Sequence, residues 1–437
     1  MSTGAKHKVV IVGGGFGGLA AARGLDEADL EVTVVDRMNH HLFQPLLYQV
    51  ASGMLSAGDI ASPIRTHLRR QDNADSLMAS VTDFDVDNRR VILDRGDHLD
   101  YDSLIVACGA ETSYFGKDEW RDVSFGLKAL EEAVALRDRT LGAFEEADRT
   151  TDPAKREAWQ NFAVVGGGPT GVEVAGQLAI LARDALRPEY SHINTGAASV
   201  MLLDAGERVL PAFSEKLSAT AARELAALGV TVREGTRATS IDDDGVTVET
   251  GNGEERIPAK TVIWAAGVHA CGLTGALARA TGASTDRGGR IEVQPDLTVP
   301  GHPEITVIGD AAHLEGKGGK PLPGLATVAI QQGRHVAKAI RHRASGATPP
   351  FHYFDKGALA VVGRGRAICE IRGLELSGPP AFAIYLGVHL IYLSGIRGRR
   401  HRVLDAWRSA QFGVRQSRVI EHVLPEAIAE PSGEERA

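Results

Sequence analysis

The sequence predicts an α/β protein: two parallel-sheet domains, the second inserted in the first, followed by a C-terminal segment of different character. Three observations carry this expectation. The apolar run ending at Val12 breaks into Gly13-Gly14-Gly15-Phe16-Gly17-Gly18 and an Ala-rich helix. The run Asn161–Val165 breaks in the same way into Gly166-Gly167-Gly168-Pro169-Thr170-Gly171, and Glu304–Ile308 is a late strand followed directly by Gly309-Asp310. One glycine loop is weak evidence, because strand-to-helix turns are often glycine-rich. A strand, loop and helix repeated further along the chain are much harder to reach by chance.

Gly13, Gly15 and Gly18 fill the three positions of G-x-G-x-x-G. The first permits the tight turn, the second lets backbone approach a pyrophosphate, and the third lets helix pack on strand. The helix N-terminus then faces the phosphates. Glu31–Asp36 is a second strand whose final acid stands where a ribose hydroxyl needs an acceptor, which makes the domain Rossmann-like without saying which dinucleotide it takes. The apolar stretch Phe43–Ala51 follows. Ile60–Arg70 has a helical pattern with Pro63 near its start, and Ser80–Val86 with Arg90–Asp94 reads as a hairpin through Asp87-Asn88. Ser103–Val106 is a buried strand running into Ala107-Cys108-Gly109.

Leu127–Arg156 is charged, Ala-rich and helical, a connector with Pro153 near its end. After the second loop, Ser199–Asp204 is again a strand ending in an acid. Ser214 is placed as the N-cap of a helix closed by Gly229. Strands follow at Val230–Glu234, Thr236–Asp242, Gly245–Thr250 and Lys260–Ala265, the last stopping at Ala266-Gly267. Leu325–Arg341 reads as a helix, Pro349-Pro350 marks a boundary, and Phe351–Ile371 looks like strands. The expected domains are 1–120 and 286–346 for the first dinucleotide fold, 121–160 for the connector, 161–285 for the second fold, and 347–437 for the C-terminal domain.

A chain of 437 residues suits two or three domains, and 43% hydrophobic with 24% charged residues is ordinary for a soluble globular protein. The three cysteines, Cys108, Cys271 and Cys369, show no C-x-x-C or metal-ligand spacing; they read as small buried hydrophobes, and no metal is expected. A net charge of −8 argues against a nucleic acid partner. Met1–Lys8 lacks the apolar core of a signal peptide, so a cytoplasmic location is expected. Ala381–Ile396 is almost unbroken apolar but shorter than the roughly 20 residues that span a bilayer. It reads either as a buried core helix or as an element lying in anionic headgroups beside Arg397, Arg399, Arg400 and Arg402.

The paired loops with their acids, the strands stopped by Ala107-Cys108-Gly109 and Ala265-Ala266-Gly267, and the late Gly309-Asp310 resemble the flavoprotein pyridine-nucleotide reductases. Within that group, Phe43–Ala51, Gly168–Glu173, Tyr353–Gly357, Val388-His389-Leu390 and Val403–Trp407 are similar to the type II NADH:quinone oxidoreductases, nearly end to end. The resemblance implies non-covalent FAD on Gly13, Gly15, Gly18, Asp36 and Asp310, and NADH as substrate on Gly166, Gly168, Gly171 and Asp204. It implies further cofactor contacts from Phe16, Gly17, Val81, Ala107, Gly109, Pro169, Thr170, Gly267, Gly309, Thr327 and Val328.

The implied reaction passes a hydride from NADH to FAD and two electrons to a membrane quinone, without proton pumping. The same resemblance implies peripheral attachment to the cytoplasmic face of the cell membrane by a C-terminal membrane-associating segment, and leaves a homodimer open. Glu173 and Gln331 are the implied catalytic residues. Glu173 lies near nicotinamide and flavin, or is a first-turn acid complementing a helix dipole. Gln331 is the second Gln of the family's Ala-Gln-x-Ala-x-Gln element, whose first Gln is Thr327 here. The rival reading is a soluble reductase for a ferredoxin-like carrier, which has no use for a membrane surface. A disulfide reductase would need a cysteine pair in His41–Gly53, where there is none.

Overall fold

The computed structural model describes residues 6–316, 318–342, 349–393, 399–411, 415 and 417–422. The chain divides into two units. The first comprises Met1–Leu42, Ala61–Glu111 and Val268–Lys356; the second comprises Phe43–Ile60, Thr112–Gly267 and Gly357–Ala437.

The first unit is built on a six-stranded sheet in the order Thr298–Val299, His302–Val307, Ser103–Val106, His7–Val12, Leu30–Asp36, Ala74–Met78. All neighbours are parallel except the Thr298–Val299 edge. Parallel strands covered on both faces need apolar residues at nearly every position, and the β-branched runs at 9–12 and 32–35 supply them. Successive side chains point to opposite faces. Val9, Ile11, Val32, Val34 and Ile105 therefore enter one core, while Val10, Val12, Val35, Leu104 and Val106 enter the other, under the strands Val81–Asp85 and Arg90–Leu93.

Helix Phe16–Gly24 packs on helix Ala326–Arg341 closely enough to need glycine on both. A Cβ on Gly333 would collide with the carbonyl oxygen of Gly17, and one on Gly24 would lie 2.6 Å from Ala337 Cβ.

The second unit repeats the plan with four parallel strands in the order Val230–Arg233, Ser199–Leu203, Asn161–Val165, Thr261–Trp264. A meander, Arg237–Asp242, Gly245–Thr250 and Gly253–Pro258, packs beside them. The antiparallel sheet Ala358–Gly363, Arg366–Ile371, Leu374–Ser377 and the helices Pro379–Tyr392 and Arg399–Gln411 complete the unit. Helix Pro169–Ile180 backs onto this sheet so tightly that a Cβ on Gly176 would collide with Val362 O.

Several local expectations change. Ile60–Arg70 is not one helix: Ala61–Pro63 is a strand paired with His40–Leu42, and only Ile64–Leu68 is helical after it. Proline's fixed φ and missing N–H suit that junction rather than a helix interior. Pro153 begins a helix, Pro153–Gln160, whose N-cap Asp152 accepts from the N–H groups of Ala154 and Lys155. Phe351–Lys356 forms no regular strand, and Gly253–Pro258 is a strand the pattern hid. Residues 268–285 fall within the first unit, with helix Leu273–Thr281 burying Ala276 and Leu277 in its core. Among the described residues no helix is long and apolar enough to cross a membrane. Arg397, the end of the apolar run at 394–396, the boundary at 346 and residues 423–437 lie outside the described residues.

Gly333→Ala should destabilise the protein by about 1–3 kcal/mol, since a methyl group would have to push two packed helices apart. Thermal unfolding should show a lowered midpoint, whereas the same substitution at Gly387, with no atom within 4 Å of its Cβ position, should leave the midpoint nearly unchanged.

Candidate active site: two glycine loops and a buried tyrosine pair

In the first unit the candidate residues gather at the C-terminal ends of parallel strands, where ligands of open α/β sheets bind. Gly13 has φ +105°, and a Cβ on it would collide with the Ala107 carbonyl oxygen; a Cβ on Gly18 would collide with Gly13 O. The fold itself thus requires glycine at both positions. Gly15 is different. Its φ is −70°, and no protein atom lies within 4 Å of a Cβ placed there. Gly15 is also the N-cap of helix Phe16–Gly24 and offers no side-chain cap, so the leading N–H groups of the helix are presented for an anion.

The surrounding residues fix this loop. Asp36 accepts from the N–H groups of Gly14 (2.6 Å) and Met38 (2.8 Å), and His41 Nδ1–H donates to Gly14 O (3.0 Å). The Phe16 ring stands edge-on to His41 at 5.0 Å. Gly109 and Gly309 take φ +75° and +70° at the ends of their strands. Gly309 N–H donates to buried Gln332 Oε1 at 2.7 Å, which holds the turn carrying Asp310. Gln332, next to the residue singled out from sequence, is a positioning residue the pattern gave no reason to choose. Val81 opens its strand half-buried, and Thr327 and Val328 lie in the first turn of helix Ala326–Arg341.

The second unit reproduces the arrangement. Gly166 has φ +113° and is walled by the backbone of Ala265-Ala266; a Cβ on Gly171 would collide with Gly166 O; a Cβ on Gly168, the uncapped N-cap of helix Pro169–Ile180, would meet nothing within 4 Å. Pro169 and Thr170 form the helix's first turn. Asp204 accepts from Gly167 N–H and from Gly206 N–H (2.7 Å), as Asp36 does in the first loop. Gly267 O accepts from Ser113 N–H at 3.0 Å. Each acid braces the loop whose ligand it is expected to meet.

Glu173 follows on the same helix. Burial pushes its carboxyl up to about 8, against the single opposing bond from Val361 N–H to Oε1 (3.3 Å). It therefore carries a proton at neutral pH, which a first-turn acid complementing a helix dipole would not. Nearby, Tyr48 and Tyr385 share a hydroxyl–hydroxyl bond of 2.8 Å; burial raises both phenols, with the charge of Glu173 adding to each. Gln49 Nε2 donates to Tyr48 Oη (2.9 Å), and Trp407 Nε1 donates to Gln49 Oε1 (2.7 Å). These side chains line a cavity whose other walls include Met54, Leu386 and Arg415. Buried Arg415 donates to Ser52 O (2.7 Å), Gln177 O (3.2 Å) and Gln177 Oε1 (3.0 Å), and burial lowers it to about 9.

Gln331, the second implied catalytic residue, sits on helix Ala326–Arg341. Its amide is spent on the backbone of Phe354, donating to the carbonyl and accepting from the N–H, both at 3.0 Å. Thr327 Oγ1 bonds the Tyr353 hydroxyl at 3.1 Å. The two helix positions together pin the Tyr353-Phe354 segment.

The arginines by the C-terminal helix also have protein partners. Arg399 is buried and donates to Gly58 O (3.5 Å), Arg402 pairs with Asp59 (2.8 Å), and Arg400 donates to the carbonyls of Leu393 and Ile391 at the helix end. Arg400 and Arg402 remain exposed while making these bonds.

A fold with two such loops defines an oxidoreductase of the pyridine nucleotide class. The profile of the pyridine nucleotide-disulphide oxidoreductases matches residues 7–333, and the chain belongs to that family. It is 42% identical to the type II NADH:quinone oxidoreductase Ndh of Mycobacterium tuberculosis, over 98% of this chain and 95% of that protein. It is 44% identical to NdhA of the same organism, over 93% and 87%. The chain thus belongs, within the wider family, to the type II NADH:quinone oxidoreductases. Its fold matches the structure of NDH2 from Plasmodium falciparum in complex with NADH at a TM-score of 0.86, with 20% identity and coverage of 94% of this chain and 99% of that one.

Because the Glu173 carboxyl is raised, the unfolded chain releases its proton above about pH 4.3 while the folded protein keeps it until about 8. Stability from this group is present at low pH and is lost as pH rises through that window. Glu173→Gln should therefore gain melting temperature relative to wild type between pH 5 and pH 8. A pH-independent difference would count against a raised carboxyl.

Proposed function

We propose that this chain is an FAD-dependent enzyme that oxidises NADH and reduces a quinone drawn from the membrane. The observation that carries the reading is the paired glycine loop. In each copy the protein requires the outer two glycines for its own packing, while the middle one, Gly15 or Gly168, faces open space that a pyrophosphate would use. Bound FAD supplies the two-electron relay between nicotinamide and quinone. The first loop, with Asp36 and the Gly309-Asp310 turn, holds the FAD, and the second loop with Asp204 holds NADH.

The rest is done by the chain's own side chains. Reduction of a quinone consumes two protons as well as two electrons. Glu173, protonated at neutral pH, holds one such proton close to the Tyr48–Tyr385 hydroxyls, which burial keeps neutral. The cavity beside them, lined by apolar side chains together with hydroxyl, amide and guanidinium groups, suits a quinone ring with its two oxygens. Thr327 in place of a longer Gln leaves Tyr353 to complete the hydrogen bond at that point.

Membrane attachment is proposed through the apolar surface of helix Pro379–Tyr392, of which only Ala381 and Tyr385 are buried and Ile391 is 71% exposed. With Arg399, Arg400 and Arg402 occupied by protein groups, apolar insertion rather than headgroup charge supplies most of the binding. The expected site is the cytoplasmic face of the cell membrane. The tail distinguishes this from a soluble reductase for a protein carrier.

Steady-state assays with NADH, NADPH and quinones of different tail length, beside stopped-flow reduction of the bound flavin, test the whole reading. Turnover with no quinone would end it. Gly15→Ala should fold yet be isolated with little flavin, whereas Gly168→Ala should keep its flavin and raise KM for NADH roughly tenfold or more, about 1.4 kcal/mol of binding. NADH should be preferred to NADPH, because Asp204 repels a 2′-phosphate and Arg208 is directed to Pro211 O (3.2 Å); Asp204→Ser should narrow the gap. Ile391→Glu should weaken flotation with neutral and anionic liposomes alike while sparing hydride transfer from NADH.

A further inference from the structure

Cys108 and Cys271, distant in sequence and expected to be separate buried hydrophobes, are neighbours. Cys271 N–H donates to Gly109 O at 3.1 Å, so the two segments run side by side with Cys108 diagonal to Cys271. Both residues are half-buried, with the Cys108 thiol the more enclosed of the two. The two thiols are close enough to perturb one another's ionisation. The neighbouring Cys108 thiol and the Leu273 N–H draw the Cys271 thiol down to about 7 against burial and the nearby Glu111 carboxylate, while Cys271 and burial push Cys108 well above the usual thiol value. A thiolate in contact with a protonated thiol is the pairing of an attacking and a resolving cysteine. Glu111 also approaches Cys271, but among the described residues no group of three or more His, Cys, Asp or Glu is placed to hold a metal ion. Cys369 lies buried in strand Arg366–Ile371 of the other unit and takes no part.

We propose that Cys108 and Cys271 form a reversible disulfide, a modification site whose oxidant is a hydroperoxide. This pair is separate from the His41–Gly53 region, where a flavin-linked disulfide would stand, and the proposal does not rest on the NADH:quinone reading. The Cys271 thiolate attacks the outer oxygen of the peroxide. The O–O bond breaks, the leaving oxygen takes a proton to become water or alcohol, and Cys271 becomes a sulfenic acid. Cys108 sulfur then attacks Cys271 sulfur, the S–S bond forms, and the hydroxyl departs with the Cys108 proton as water. Two thiols have lost two electrons and the peroxide has gained them. Ala107 lies directly against Gly13, so the bridge ties the floor of the first glycine loop to the segment 268–271.

The test is made on the full-length, flavin-loaded protein. It is exposed to a few equivalents of hydrogen peroxide, alkylated under denaturing conditions and weighed. The three free thiols should fall to one, with a loss of 2 Da and a cross-linked peptide pair containing Cys108 and Cys271; dithiothreitol should restore three. Cys369→Ser should leave the cross-link intact. Cys108→Ser should instead accumulate a sulfenic acid on Cys271 that dimedone traps. If all three thiols still alkylate after excess peroxide, or if Cys271 goes to sulfinic acid while Cys108 remains free, the proposal is overturned. Because the wild-type measurement needs no variant, a poorly folding mutant would not blur the result.

Discussion

The structure depends on one steric condition: a helix can begin immediately beyond the end of a buried parallel strand only where side chains are missing. At Gly18 and Gly171 a single Cβ would collide with the carbonyl oxygen at the start of the same loop, and at Gly13 and Gly166 the backbone turns through positive φ against a neighbouring strand end. When these conditions are met, the helix N-terminus and the acid of the next strand arrive at the same place. Asp36 and Asp204 each bond the loop's inner N–H, so the acid and the anion cradle are one rigid piece rather than two features brought together by a ligand. Both units solve the problem in the same way, which is the basis for proposing two dinucleotide sites in one chain.

The loops were legible because their determinants are local. Glycine spacing, β-branched runs and a strand-end acid all fall within one supersecondary unit, and the structure puts them where the pattern says. The helix cap at Ser214 was legible for the same reason. Pro153 shows the limit of such reading: a proline near the end of a helical pattern and a proline opening the next helix look alike until the Asp152 cap is seen.

The cavity in the second unit was not legible in this way. Its wall is assembled from positions 48–49, 177, 385, 407 and 415, which no periodicity connects. The motifs Phe43–Ala51 and Val403–Trp407 marked parts of it as distinctive, yet only the fold shows that Gln49 and Trp407 are bonded partners. Likewise the spacing of Cys108 and Cys271 gave no hint of contact, because the chain between them folds into the other unit before it returns. The partners of the C-terminal arginines were hidden for a related reason. A basic run on a sequence line says nothing about which guanidinium groups will be taken up by carbonyls or by Asp59.

The tyrosine pair has a consequence of symmetry. Indole N–H can only donate, so the bond from Trp407 fixes the Gln49 amide with its oxygen toward the indole and its NH2 toward Tyr48. Tyr48 oxygen thus always accepts from Gln49. The two phenols hold two hydrogens but need only one for the bond between them, whichever of them donates. One hydrogen is therefore always left over, on Tyr385 in one sense of the bond and on Tyr48 in the other. Reversing the sense moves that spare donor from one ring to the other without creating a charge in the interior. The pair is a two-position switch for hydrogen-bond polarity, set in a cavity where an ionised group would be poorly solvated.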